Sequence, residues 1–244
     1  MRAGRRRCKA LSLNGIVIPT FFEAELVIEA IRNREEFVIQ GKSFFKGYLN
    51  NAAVALVVCG MGKTNAAQGS ALLFERFNPS GFIVLGVGGA YPSCGLEIGD
   101  IAVAESEIYG DEGLRTEAGI QTMDALQLPL ASVGQKNYYN EFPLYIPETI
   151  KNHEHTGVFV TVSACTGSTK AGFEIGKRFN AICENMEGAA VAHIGVLNNM
   201  PVAEIRGISN VIEDRKGKPL DRTALLMAAE KVQRFFMEKV LHMN

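Results

Sequence analysis

Residues 52–90 read AAVALVVCGMGKTNAAQGSALLFERFNPSGFIVLGVGGA, and their order decides the fold. Ala52–Val58 is an unbroken apolar run bounded by Asn51 and Gly60. Lys63–Phe77 follows with helical composition and stops at Asn78-Pro79, where proline cannot continue a helix. Residues 82–85 (FIVL) form a second apolar run that enters the glycine cluster at 86–89. Strand, helix, strand, with the strands apolar on both faces, predicts a largely parallel sheet covered by helices on two sides.

The same alternation continues outward. Residues 15–20 (GIVIPT) are a short apolar run ending at a turn, and 23–34 read as an amphipathic helix. Residues 100–105 (DIAVAE), 157–162 (GVFVTV) and 202–208 (VAEIRGI) read as further strands. Residues 187–197 read as a helix opened by an acid, and 224–240 as a strong final helix. Residues 110–152 are the least regular part and are expected to hold surface insertions with one or two short strands. No repeat or linker divides the chain, so one domain over residues 13–244 is expected.

The 244 residues are 47% hydrophobic and 21% charged, which is ordinary globular usage and excludes a disordered chain. No apolar run reaches the ~18 residues of a spanning helix, so no membrane partner is expected. A net charge of −1 gives no electrostatic reason to expect nucleic acid. Within that balance, Arg2, Arg5, Arg6, Arg7 and Lys9 are concentrated at the start; without them 20 basic face 26 acidic residues, or −6. Residues 1–12 are read as a basic extension outside the fold, with a nucleic-acid or membrane tether as the alternative. No signal-peptide apolar stretch follows it, and the odd, widely spaced Cys8, Cys59, Cys94, Cys165 and Cys183 contain no CxxC pair. A reducing, cytoplasmic location fits, and neither a disulfide framework nor a metal site is expected. His153 and His155 lack a visible third ligand and read as surface-loop residues.

Three stretches are candidates for chemistry. Gly60-Met61-Gly62-Lys63-Thr64 lacks the glycine that a Walker A loop needs five residues before its Gly-Lys pair; Val57 stands there. It reads as a strand-to-helix turn allowing close backbone approach. The cluster Gly86-Val87-Gly88-Gly89-Ala90 is not GxGxxG, but at the end of a strand it can let a ligand lie against the backbone at Val87, Gly88 and Gly89. In Glu184-Asn185-Met186-Glu187-Gly188-Ala189-Ala190, Glu187 opens a slim helix. It reads either as an acid favoured by the helix dipole or as a carboxylate accepting from a vicinal diol. Ser209 and Asn210, just past the strand at 202–208, read as loop caps or as ligand contacts.

Taken in order, these motifs form a recognisable set. Gly60-Met61-Gly62-Lys63 with Asn65-Ala66-Ala67, the glycine cluster, Ile98-Gly99-Asp100-Ile101, Tyr109-Gly110-Asp111, residues 185–190 and Ile205-Arg206-Gly207-Ile208-Ser209-Asn210 resemble the nucleoside phosphorylase and nucleosidase superfamily. The resemblance runs from about residue 16 to the C-terminus, and the ordered set is far more specific than any member. It implies a three-layer α/β/α sandwich with a mixed, largely parallel sheet, a homodimer or higher homo-oligomer, and cleavage of a purine N-glycosidic bond without metal or cofactor. Within the superfamily the chain looks most like the futalosine hydrolases of menaquinone biosynthesis, which release hypoxanthine and dehypoxanthine futalosine. Nucleosidases of methylthioadenosine, S-adenosylhomocysteine or aminodeoxyfutalosine, and purine nucleoside phosphorylases, are the alternatives. A catalytically dead nucleoside-binding protein is a further one, against which intact Glu23 and Glu187 speak.

The resemblance also implies roles. Residues 19–24 (PTFFEA) line up with the segment carrying the water-activating glutamate and nominate Glu23 as catalytic base. Glu25 is the neighbouring competitor, but on a helix it projects roughly 200° away. Glu187 matches the glutamate that grips the ribose hydroxyls, and Met186 the methionine packed on the sugar. Thr166 and Gly167 are expected at the base site, with Asn185 where the nucleosidases carry glutamate and Ala164 near their stacking aromatic. Asn210 stands where the methylthioadenosine enzymes have aspartate. An amide cannot hand over a proton, but its NH2 donates to N7 and O6 of a 6-oxopurine, although asparagine also pairs with adenine. Residues 85–90 lack the arginine and serine with which phosphorylases hold phosphate, so water is the expected nucleophile. Arg206, inside a strand, is expected in a structural ion pair. Arg215, Lys216 and Lys218 are read as either a lid or a solvated loop.

Overall fold

The computed structural model describes residues 13–241 apart from 93, 118, 218 and 220. The basic extension at 1–12 and Cys8 lie outside the described residues. In chain order the elements are β1 (Asn14–Ile18), α1 (Phe21–Ala30), β2 (Arg32–Ile39), β3 (Lys42–Leu49), β4 (Ala52–Val58), α2 (Lys63–Phe77) and β5 (Gly81–Ala90). There follow β6 (Ile101–Tyr109), β7 (Leu114–Thr116), β8 (Gly119–Gln121), β9 (Ala131–Val133), β10 (Lys136–Tyr138) and β11 (Glu141–Pro143). The last are β12 (Thr156–Thr161), α3 (Thr169–Phe179), β13 (Ala181–Asn185), α4 (Gly188–Leu197), β14 (Val202–Val211) and α5 (Arg222–Phe235), which runs on into a π turn over Phe236–Val240.

Ten strands form one mixed sheet in the order β11-β6-β12-β13-β5-β1-β4-β3-β2, with β14 paired to both β5 and β6. The β5–β14, β6–β12 and β12–β13 pairs are parallel, whereas β14–β6 and β13–β5 are antiparallel. The pairings β5–β14–β6–β12–β13–β5 therefore close into a ring, from which β1, β4, β3 and β2 extend as an open wing.

Among the described residues four apolar clusters form the core, and the two largest lie on opposite faces of β1. On β1, Ile16 and Ile18 join Val27 of α1 and Val232 of α5, while Val17 between them joins Leu73 of α2 and Ala189 and Val191 of α4. This period-2 division on a strand buried on both faces is what the unbroken apolar run implied. Full burial of each such aliphatic side chain contributes about 1.5–3 kcal/mol. The helices start and stop on local chemistry. Ser168 caps α3 by accepting from Ala171 N at 3.2 Å, and Asp221 caps α5 by accepting from Thr223 N at 2.8 Å. Asn78 and Asn180 end α2 and α3 in the left-handed conformation. No described helix is long and apolar enough to cross a membrane.

The expected three-layer α/β/α sandwich is the observed architecture, and α2 coincides with its expected span. Four local expectations are corrected. The first helix stops at Ala30, and residues 32–49 form the β2–β3 hairpin. Residues 110–152 hold five short strands, one of which, β11, joins the main sheet. The glycine cluster continues strand β5. Ser209 and Asn210 belong to β14, which runs on to Val211.

Candidate active site

The carboxyl ends of several strands converge on one cleft, where ligands collect in open α/β sheets. Its floor is Val87, Gly88 and Gly89 of β5. Its walls include Glu23, Thr166, Asn185, Met186, Glu187, Ser209 and Asn210, so sites spread over nearly 190 residues of sequence meet here. Gly167 is not among the lining residues; it lies against the Arg215 side chain, whose Cδ is 3.9 Å from the position of a Gly167 Cβ.

Glu23 sits in the first turn of α1 and is 3% exposed, whereas Glu25 faces solvent. One Glu23 oxygen accepts from Val87 N at 2.9 Å and the other from Thr20 Oγ1 at 2.5 Å. Burial raises the Glu23 pKa above the ordinary carboxylate value; the Thr20 hydroxyl, the Val87 N–H and Arg206 oppose the shift only in part. A carboxyl so placed is a base of raised strength, held by two fixed donors at one end of the β5 floor.

Glu187 immediately precedes α4 and is 4% exposed. Its carboxylate accepts from Gly62 N at 2.9 Å and from Arg206 Nη1 at 3.1 Å. Gly62 has φ of 91°, a conformation open to glycine, which explains the glycine in the GMGK turn. Arg206 is 1% exposed and also donates to Glu204 Oε1 at 2.8 Å and Val87 O at 3.2 Å. Burial works against its charge, but Glu204 and Glu187 outweigh burial and hold its pKa above the usual value. The expected ion pair of Arg206 is therefore present, and one of its partners is Glu187. Asn185 lines the cleft, yet both ends of its side chain are engaged internally. Its Oδ1 accepts from Glu187 N at 2.9 Å and Gly188 N at 2.8 Å, and its Nδ2 donates to Glu107. It fixes the start of α4, where backbone N–H groups otherwise lack partners.

At the opposite end of the floor stands Asn210. A bulge in the β14–β5 register makes Ser209 an extra residue, so Ile208 faces Gly88 and Asn210 faces Gly89. Such an insertion re-aims the following side chain; Ile208 lies in the core and Asn210 in the cleft. Ser209 Oγ lies 3.1 Å from Gly88 O and 3.0 Å from Asn210 Oδ1. Among the described residues, Asn210 Nδ2 has no acceptor. The acid among the described residues at this end, Glu184, is engaged: its carboxylate accepts from Thr166 N at 2.7 Å, Thr166 Oγ1 at 2.6 Å and Tyr91 Oη at 3.1 Å. Ala164 is exposed and does not line the cleft.

Among the described residues the lining carries three carboxylates, Glu23, Glu184 and Glu187, against one cation, Arg215, with Arg206 buried behind Glu187. Such a site favours positive charge in a bound group and disfavours a phosphate dianion. Pro19, Phe22, Met61, Cys165 and Leu225 complete the lining; none was given a contact role in the sequence, although Met61 lies in the Gly60–Thr64 stretch and Pro19 and Phe22 in residues 19–24, because lone apolar residues carry no spacing signal. Arg215 belongs to the charged loop after β14, Lys216 is exposed, and Lys218 lies outside the described residues. No cluster of metal-binding side chains occurs among the described residues.

Comparison with known proteins gives this geometry a family. The phosphorylase superfamily matches residues 15–242. The 5'-methylthioadenosine/S-adenosylhomocysteine nucleosidase of Psychromonas ingrahamii is 32% identical over 206 residues, covering 81% of this chain and 85% of that protein. The futalosine hydrolase of Thermus thermophilus is 30% identical over 185 residues, covering 74% and 80%. In fold, the chain is similar to the methylthioadenosine/S-adenosylhomocysteine nucleosidase of Neisseria meningitidis in complex with methylthio-immucillin-A. The TM-score is 0.78, with 93% of this chain and 97% of that one covered at 21% identity. A match over residues 15–242, joined to relatives of this identity, means that the chain is an enzyme of the phosphorylase superfamily, the group that includes these purine nucleosidases.

Proposed function

We propose that the protein is a purine nucleoside N-glycosidase that uses water, with futalosine as substrate and hypoxanthine as leaving base. The observation that carries this reading is Asn210: at the end of the floor opposite Glu23, the group with a free donor is a neutral amide. The carboxylate of Glu184 is engaged by Thr166 N, Thr166 Oγ1 and Tyr91 Oη, which leaves the amide of Asn210 as the group with an unengaged N–H donor at this end. An amide NH2 matches N7 and O6 of a 6-oxopurine, both of which accept.

The rest of the cleft supplies matching roles. Val87 and Gly89, which anchor the two ends, are two residues apart on one strand, or about 7 Å. A ribose and the five-membered ring of its purine fit that span. Glu187 accepts from the ribose hydroxyls, and Met186 packs on the sugar. Breaking the glycosidic bond builds positive charge on the ribose, as in O-glycoside cleavage, and the carboxylates of Glu23 and Glu187 lie where they stabilise it. Glu23 takes the proton of the attacking water while Asn210 steadies the negative charge on the departing base.

A second reading, a methylthioadenosine or S-adenosylhomocysteine nucleosidase, is favoured by the apolar Phe22, Met61 and Leu225 in the lining, which suit an alkylthio group. One assay separates the two. Incubated with futalosine, methylthioadenosine and inosine, with and without phosphate, the protein is expected to release hypoxanthine from futalosine at a rate indifferent to phosphate. A ribose 1-phosphate product overturns hydrolysis, and a higher kcat/KM for adenine release from methylthioadenosine overturns the substrate.

Asn210→Asp tests the base directly. It is expected to raise kcat/KM on 6-aminopurine nucleosides relative to 6-oxopurine ones by about tenfold, the scale of one hydrogen bond. An unchanged ratio removes residue 210 from base selection.

A further inference from the structure

Beneath the ribose end of the cleft, inside the ring of strands, lies a pair of acids that the proposed reaction does not use. Glu107 of β6 and Glu204 of β14 are 0% and 1% exposed. Glu107 Oε2 accepts from Thr161 Oγ1 at 2.7 Å, and its Oε1 accepts from Asn185 Nδ2. Glu204 Oε1 accepts from Arg206 Nε at 2.8 Å. Glu204 Oε2 accepts from nothing, and it is the one buried side-chain polar atom left without a partner among the described residues.

The neighbour of that orphan is the other acid. A Cβ on Gly188 would stand 2.1 Å from Glu204 Oε2 and 2.2 Å from Glu107 Oε1, so the two oxygens are at most the sum of these, 4.3 Å, apart. Two buried carboxylates cannot both remain ionised at this range beside a single guanidinium that already serves Glu187. Burial is the chief cause that pushes both carboxyls above the ordinary range, with the charge of Glu204 adding to the shift at Glu107. A proton between Glu204 Oε2 and Glu107 Oε1 satisfies the orphan and reduces the pair to one negative charge, shared with Glu187 around Arg206.

We propose that Glu107 and Glu204 share one proton, and that this contact makes them positioning residues: it holds Arg206, and through Arg206 holds Glu187 in place for the sugar hydroxyls. The proposal rests on the reading of Glu187 as the ribose grip. Its consequence for substitution is asymmetric. Glutamine at 204 reproduces the shared-proton geometry, with an amide donor toward Glu107 and a carbonyl toward Arg206 Nε. Glutamine at 107 does not: its carbonyl must face both Asn185 Nδ2 and Glu204, which fixes the proton on Glu204 and leaves the pair with no negative charge beside Arg206. Asn185 cannot turn over, since its Oδ1 is held by Glu187 N and Gly188 N.

The test combines kinetics and infrared spectroscopy. With futalosine, Glu204→Gln is expected to keep KM within about threefold of the parent protein, while Glu107→Gln and Glu204→Leu raise it about 10–100-fold, the worth of a charge-assisted hydrogen bond. In a Glu23→Gln background at pH 8, the C=O stretch of a protonated carboxylic acid is expected, and adding Glu204→Gln removes it. That spectrum needs no substrate, so it decides the shared proton even if Glu107→Gln fails to fold. Absence of the band, or equal KM values for Glu204→Gln and Glu107→Gln, overturns the proposal. A parent protein that releases no purine while showing the band overturns the nucleosidase reading and the positioning role, but not the shared proton.

Discussion

Glu23→Gln is expected to lower kcat by about 10²–10⁴-fold, the usual worth of a general base, without lowering stability. The activity follows from placement. Glu23 is fixed by Val87 N and Thr20 Oγ1 at the sugar end of the cleft, and glutamine cannot take up a proton there. The stability follows from burial. The folded-state pKa of Glu23 is raised, so its ionised form costs stability once pH exceeds the unfolded value, and this cost grows until the folded pKa is passed. Below the unfolded pKa the acid is neutral in both states and the cost vanishes. The variant should therefore gain in Tm at neutral pH and gain nothing near pH 3. The same shift predicts that kcat/KM of the parent protein falls, as pH is lowered, at a higher pH than an ordinary carboxylate would give. Single-turnover rates and thermal unfolding at both pH values check this. A kcat within a few-fold of the parent's would mean that another group activates the water.

The largest loss of stability is expected from Arg206→Met, about 3–5 kcal/mol. The guanidinium is buried with the carboxylates of Glu187 and Glu204 on it, and methionine leaves both without a countercharge. For a chain of this size that corresponds to a fall in Tm on the order of 10 °C. Activity should be lost as well, since Glu187 retains only the Gly62 amide as a direct partner. Urea unfolding monitored by circular dichroism measures the first effect. An unchanged midpoint would show that the buried network contributes nothing to stability.

What could be read from the sequence follows from how local each signal is. The helix at 63–77 and the strand at 52–58 carry their own periodicity and stop signals, and both stand where they were expected. Strand β2 does not: Arg32, Arg34, Glu35 and Glu36 are exposed on an edge, so no alternation marks it, and the helical reading of α1 runs on into it. The glycine cluster reads as the end of a strand, yet it is strand throughout, and its glycines are required because other side chains occupy the Cβ positions. Arg206 Nη1 lies 2.6 Å from that of Gly86, and Cys183 Sγ 2.5 Å from that of Gly88. Asn210 was visible as a polar residue after an apolar run, but the bulge that aims it depends on pairing with β5. The roles of Glu107 and Glu204 were not legible, because they arise from contacts between β6 and β14 that no local pattern encodes.

The position of β14 between β5 and β6 also governs how the molecule can be made on a ribosome. A nascent chain that has not yet delivered residues 202–211 holds two unsatisfied backbone edges and has neither Arg206 nor Asn210. Its chamber thus stays open until residues 202–211 have been made, and a product truncated before them would present those edges to other chains.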